Sequence, residues 1–134
     1  LLLQDTAPSW LYPVKHGATT IWESWDGVRE DGTVHDSLNH YAYGAVSGWL
    51  IGDVCGIHLS EGKLTIAPKP SKVLGFAEGI WDSPIGKVVS KWQYDNDCLH
   101  ICVQVPANTS AKVFLPDGRE LEVCCGEHSF VCKM

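Results

Sequence analysis

Cations are scarce in this chain of 134 residues: ten lysines and arginines stand against sixteen aspartates and glutamates, leaving a net charge of −6 at pH 7. Nucleic-acid surfaces rely on clustered Lys and Arg to displace counterions, so a nucleic-acid partner is not expected. Long apolar runs are absent too. The longest uncharged apolar run, Tyr41 to Gly52, is interrupted by Gly44, Ser47 and Gly48 and falls short of the roughly 20 apolar residues that cross a bilayer, so no membrane partner is expected. There is no nucleophile elbow, no phosphate loop, no dinucleotide fingerprint, no Cys-x-x-Cys pair and no cluster with metal-ligand spacing, which removes most common enzyme classes and leaves no cofactor or metal to expect.

What is present can fold. Apolar residues make up 45% of the chain and charged ones 19%, with a mean hydropathy of −0.03, a composition that buries a core rather than staying disordered. Six cysteines (Cys55, Cys98, Cys102, Cys124, Cys125 and Cys132) could form a disulfide framework, but so apolar a chain needs no staples. We expect reduced thiols used as small buried apolar residues and, from them, a cytoplasmic location. The triplet Asn108-Thr109-Ser110 fits a glycosylation acceptor, a pattern too short to carry weight.

Charge and aromatics are unevenly placed. Residues 1–55 hold Lys15 and Arg29 against seven carboxylates and carry four of the six tryptophans. The chain opens on Leu1-Leu2-Leu3-Gln4 as though entering in the middle of an apolar element, and we expect a cut end there. Pro8, Pro13 and Gly17 predict an irregular stretch. Asp36 is placed as a helix N-cap, and Leu38, Tyr41, Ala42, Ala45, Val46, Trp49, Leu50 and Val54 recur at helical intervals, which predicts a helix over 36–54 ended by Gly56. Its other side presents His40, Gly44, Ser47 and Gly48.

Beyond Gly56 the period changes from 3.6 to 2. Strands are predicted at Lys63 to Ile66, in the Leu74 to Trp81 region, at Lys87 to Tyr94, at Cys98 to Val105, from Ala111 to Leu115, around Leu121 and Val123, and at His128 to Cys132. Asp95-Asn96-Asp97 and Pro116-Asp117-Gly118 supply turns. Six or seven short strands at this spacing suit an antiparallel sandwich. Residues 1–55 and 56–134 are thus expected to be separate domains.

Trp22-Glu23-Ser24-Trp25-Asp26 sets two carboxylates among indoles. Such residues suit a sugar site, where aromatic faces stack on a pyranose and a carboxylate accepts hydroxyl hydrogen bonds or moves protons. They also suit a structural role in which the glutamate is simply hydrogen-bonded. His40 has the same two readings, sugar contact or a satisfied structural ring.

Three ordered blocks add to this: Pro8 to Val14, Gly17-Ala18-Thr19-Thr20-Ile21-Trp22-Glu23-Ser24-Trp25-Asp26-Gly27, and Leu38-Asn39-His40-Tyr41-Ala42-Tyr43-Gly44-Ala45-Val46. They resemble the end of the catalytic domain of bacterial α-L-rhamnosidases of glycoside hydrolase family 78. Pro84-Ile85-Gly86-Lys87-Val88-Val89-Ser90-Lys91-Trp92 resembles a segment of that family's C-terminal β-sandwich. The resemblance implies a mixed fold, the terminal helices of an (α/α)6 barrel followed by an antiparallel β-sandwich. It implies hydrolysis of terminal α-L-rhamnosides with inversion, by a carboxylic acid and a carboxylate base. Glu23 matches the proposed general base and His40 a sugar contact, while Trp22 and Trp25 could screen the site, the alternative being that one of them faces the core.

In the family the acid lies upstream of these blocks, so the 134 residues alone are expected to be inactive, with the 36–54 helix exposing a face for missing neighbours or for self-association. A rhamnose-containing glycoside is the expected partner. Two other readings stand beside this one. In the first, a carbohydrate-binding or structural module uses Trp81 and Trp92 as a stacking platform, although Trp92 shares an alternating face with Val88 and so reads as core. In the second, a different (α/α)6 glycosidase or a polysaccharide lyase shares the barrel.

Overall fold

The computed structural model describes residues 1–133, so the final residue of the expected 56–134 domain, Met134, lies outside the described residues. Two compact units divide the chain, Leu1–Ser47 and Gly48–Met134.

The first unit is mostly irregular. A short helix, α1 (Leu11–Lys15), occupies the proline-bearing stretch expected to be irregular. Pro13 sits in its opening turn, where a missing N–H costs nothing. The buried Ser9 accepts the Tyr12 N–H at its Oγ, 3.0 Å away, and Gly17 leaves the helix at φ +75°. An isolated bridge between Val28 and Val34 closes a loop. Trp22 is the one buried large apolar side chain among the described residues of this unit. It packs at Gly27, where an added Cβ would come within 3.2–3.3 Å of Leu38 and Trp22.

The expected helix over 36–54 is half right. Helical structure begins only at Ala42, as a 3-10 turn (Ala42–Ala45), continues as α2 (Val46–Trp49) and ends as a π turn (Leu50–Val54), with Gly56 leaving at φ +74°. Asp36 does not cap it. Its φ is +57°, the left-handed region that Asp tolerates better than most residues and that an N-cap does not use. Residues 37–40 instead run beside 20–23. The Glu23 N–H donates to Ser37 O at 2.8 Å and the His40 N–H to Ile21 O at 2.7 Å, and Thr20 Oγ1 donates to Leu38 O. Ser37 also offers its Oγ to the Asn39 N–H at 3.2 Å, the local side-chain competition that keeps such residues out of helix interiors.

The second unit is a sandwich of two four-stranded sheets. One has the order β1 (Ile57–Ser60), β2 (Lys63–Ile66), β6 (Ala111–Phe114), β7 (Glu120–Val123). The other has the order β3 (Phe76–Ser83), β4 (Gly86–Asp95), β5 (Cys98–Val105), β8 (Gly126–Lys133). β1 was not anticipated. The expectation of a purely antiparallel sandwich also needs correction, because β2 and β6 pair in parallel, Leu64 beside Ala111 and Ile66 beside Val113. The chain reaches β6 only after three strands in the other sheet, so it arrives from the same end as β2.

Alternation places Val88, Ser90 and Trp92 of β4, and Leu99, Ile101, Val103 and Val105 of β5, inward. They join Leu64, Ile66, Val113 and Leu115 of the other sheet in one core. Trp92 is fully buried, donating its indole N–H to Val54 O at 2.8 Å, and Ser90 Oγ donates to Cys55 O at 2.6 Å. A stacking platform of Trp81 and Trp92 is thereby removed: Trp92 is core, and Trp81 is half-buried against it.

All six cysteines are free, yet only Cys55 and Cys132 are buried. Cys102, Cys124 and Cys125 are exposed, the last two in the connection between β7 and β8 rather than on a strand. The expectation of uniformly buried thiols is corrected accordingly. Among the described residues no helix is long and apolar enough to cross a membrane, and no group of three or more His, Cys, Asp or Glu is placed to hold a metal.

Candidate active site

The four residues singled out by sequence all lie on the paired segments of the first unit or just beyond them, but they do not form one cluster. Glu23 is exposed. Its carboxylate Oε2 accepts the Ser37 N–H at 3.0 Å while its own N–H donates to Ser37 O, so a single residue grips the glutamate at backbone and side chain. The head group is held in one direction without being taken out of water. His40, half-buried, follows on the facing segment; its ring stacks on Tyr41, centroids 4.9 Å apart, and its Nδ1 accepts the Ala42 N–H at 3.3 Å.

The two indoles separate cleanly. Trp22 is the buried one, so of the pair it is the core residue. Trp25 stacks on Tyr43 at 3.7 Å and 13°, and Trp10 meets it edge-on at 5.0 Å. The Trp10 indole N–H donates to Tyr43 O at 3.0 Å, locking this aromatic corner. A cavity of about 260 Å³ opens beside it, lined by residues that include Trp10, Trp22, Trp25 and Tyr43 with the hydroxyls of Thr19, Thr20 and Ser24. Neither Glu23 nor His40 is among its lining residues. It has the composition of a stacking surface with a few polar groups.

A polar network next to Glu23 was missed by sequence reasoning. Ser24 Oγ donates to Asp36 Oδ2 at 2.5 Å, and His35 Nδ1 lies 3.0 Å from the same oxygen. Hydrogen bonds from Ser24 and then from His35 hold the Asp36 carboxyl below the usual carboxylate range. His35 Nε2 lies 3.0 Å from Asp26 O and 3.3 Å from Asp26 Oδ1. Serine, aspartate and histidine here are not a nucleophilic triad. The aspartate stands between the other two, so the imidazole has no contact through which to take the serine proton. The His35-Asp36 dipeptide was visible in the sequence, but Asp36 suits a cap and a left-handed turn equally well.

Comparison with known proteins gives this geometry a context. Residues 1–54 match the family described as the bacterial alpha-L-rhamnosidase 6 hairpin glycosidase domain, and residues 62–128 match the bacterial alpha-L-rhamnosidase C-terminal domain. An alpha-L-rhamnosidase of Formosa agariphila is 40% identical over 123 residues, covering 87% of this chain and 13% of its own length. The crystal structure of native α-L-rhamnosidase from Aspergillus terreus is similar with a TM-score of 0.91 and 34% identity, over 99% of this chain and 17% of that one. That of the Streptomyces avermitilis α-L-rhamnosidase, complexed with L-rhamnose, is similar with a TM-score of 0.83 and 33% identity, over 99% and 16%.

Proposed function

Because the chain belongs to the bacterial α-L-rhamnosidase family, we propose that it is part of a glycoside hydrolase that releases terminal α-L-rhamnose with inversion, Glu23 being the general base. The chain spans about an eighth of the length of the curated relatives it matches. Residues 1–54 would then supply the last elements of an (α/α)6 barrel, and the strands from β2 onward the domain that follows it.

The carrying observation is the state of Glu23, which is exposed and has one oxygen fixed by the Ser37 N–H at 3.0 Å. A base must be aimed, and a backbone donor on one oxygen fixes its direction while the other oxygen is left to receive a proton. In the inverting reaction Glu23 removes a proton from a water, whose oxygen attacks the anomeric carbon. A carboxylic acid on the opposite side gives its proton to the departing glycosidic oxygen. The two carboxyl groups must stand roughly 6.5–9.5 Å apart to leave room for the water. We place that acid outside these 134 residues, so the chain alone should not turn over substrate.

His40 and Trp25 are assigned to sugar contact, Trp25 through the exposed part of its stacked indole, whereas burial gives Trp22 a structural role behind Glu23. Three exposed free thiols suit a reducing compartment, which supports a cytoplasmic location. The test is Glu23→Gln in the full-length polypeptide. Turnover of an aryl α-L-rhamnoside should fall by about 10²–10⁴-fold with the circular dichroism spectrum unchanged. Wild-type turnover would remove the assignment.

A further inference from the structure

We propose that Asp36 is a positioning residue for Glu23, acting through the Ser37 peptide; this rests on the reading of Glu23 as the base. The residues form a closed ring. Glu23 is bonded in the chain to Ser24, whose Oγ donates to Asp36 Oδ2 at 2.5 Å. Asp36 is bonded in the chain to Ser37, whose N–H returns to Glu23 Oε2 at 3.0 Å. The second link between the segments, Glu23 N–H to Ser37 O at 2.8 Å, runs inside the ring.

The direction of the Ser37 N–H depends on the Asp36 backbone, and that backbone sits at φ +57°. Aspartate tolerates that region but is not confined to it, so contacts on its side chain decide whether the turn is held. Two contacts on one oxygen hold it here, from Ser24 Oγ and His35 Nδ1. His35 is anchored in turn on the Asp26 carbonyl and carboxylate, and Asp26 has Arg29 Nε 3.6 Å from its other oxygen. Asp36 therefore needs no contact with substrate to matter. Release of Oδ2 would let the left-handed turn relax, and the N–H that aims the base would swing away.

Small errors in the aim of a catalytic group cost up to about a hundredfold in rate, while groups that merely bind substrate are undisturbed. Asp36→Ala in the full-length polypeptide should thus lower kcat for an aryl rhamnoside by about 10–100-fold and leave KM within about twofold. Asp36→Asn keeps an acceptor for Ser24 and tolerates the left-handed backbone, so it should restore most of the loss. In a Glu23→Gln background, Asp36→Ala should reduce the residual turnover no further, because its route of action is gone. Ser24→Ala, which removes a contact to Oδ2 while keeping aspartate at the turn, should show the same loss confined to kcat if Asp36→Ala does not fold.

Wild-type kcat in both Asp36→Ala and Ser24→Ala, with Glu23→Gln inactive, would overturn the positioning role and leave the base assignment standing. An equal loss from Asp36→Ala with and without Glu23 would mark a general structural effect and also overturn it. Full activity in Glu23→Gln would remove the base assignment, and this inference with it.

Discussion

Gly56 and Gly62 share nearly the same backbone conformation, φ +74° and +75°, and differ in what surrounds them. A Cβ on Gly56 would lie 2.1–2.4 Å from the backbone of Ala67 and Pro68, whereas one on Gly62 would meet nothing within 4 Å. The left-handed conformation by itself costs an L-residue about 1–2 kcal/mol. Gly62→Ala should therefore lose about that much, read as a small fall in the midpoint of thermal or urea unfolding. Gly56→Ala carries the same conformational cost plus a clash with main chain that cannot rotate away, and should lose several times as much or fail to accumulate as folded protein. Equal midpoints for the two variants would show that the close approach at Gly56 relaxes freely. The same kind of residue shows where sequence stops being informative: glycine announces a special φ, but Asp36 reaches +57° with a side chain that serves equally well as a cap, so its partners Ser24 and His35 stayed hidden.

Strands were the most legible elements, because a buried inner face imposes period 2 on each of them. Val88, Ser90 and Trp92, and Leu99, Ile101, Val103 and Val105, alternate as a single buried face requires. Pairing was not legible in the same way. Periodicity tells which side of a strand is buried and nothing about its neighbour, so the parallel contact of β2 with β6 and the short β1 emerged only in three dimensions. One clasp between the sheets runs through an ion-paired arginine. The turn before β7 holds Asp117, paired with Arg119 at 2.7 Å, and Arg119 Nη2 reaches across to Val131 O of β8 at 2.7 Å. The hydrogen bond from Arg119 keeps the Asp117 carboxyl down at about 2. Since that lies below the value of about 3.9 for an unfolded aspartate, the stabilisation is present above pH of about 4 and is lost as pH falls toward 2. Asp117→Asn should thus flatten part of the acid limb in a plot of urea midpoint against pH. An unchanged acid limb would show that the pair contributes nothing to stability.

At the scale of the whole chain, burial is distributed very unevenly between the two units. Every residue of the large hydrophobic cluster from Val54 to Cys132 belongs to the second, and the backbone there is tied into two four-stranded sheets. In the first unit the buried residues are Ser9, Trp22 and Gly27 among those described, with Tyr41, Val14, Leu1 and Leu3 more than half exposed. Conformational entropy costs about 1–2 kcal/mol per ordered backbone residue, offset chiefly by burial at about 25 cal/mol per Å² of apolar surface. A unit with one large buried side chain has little to set against that cost. Residues 46–134 expressed by themselves should unfold cooperatively, with tryptophan fluorescence and far-UV circular dichroism changing at one midpoint. Residues 1–47 by themselves should give no cooperative transition. If the second polypeptide melted without cooperativity, its core would depend on more than the residues that line it. If the first folded alone, the aromatic corner of Trp10, Trp25 and Tyr43 would be a stronger anchor than its burial indicates, and the hydrogen bonds that link Glu23, Ser24, Asp36 and Ser37 would be built into that unit from the start.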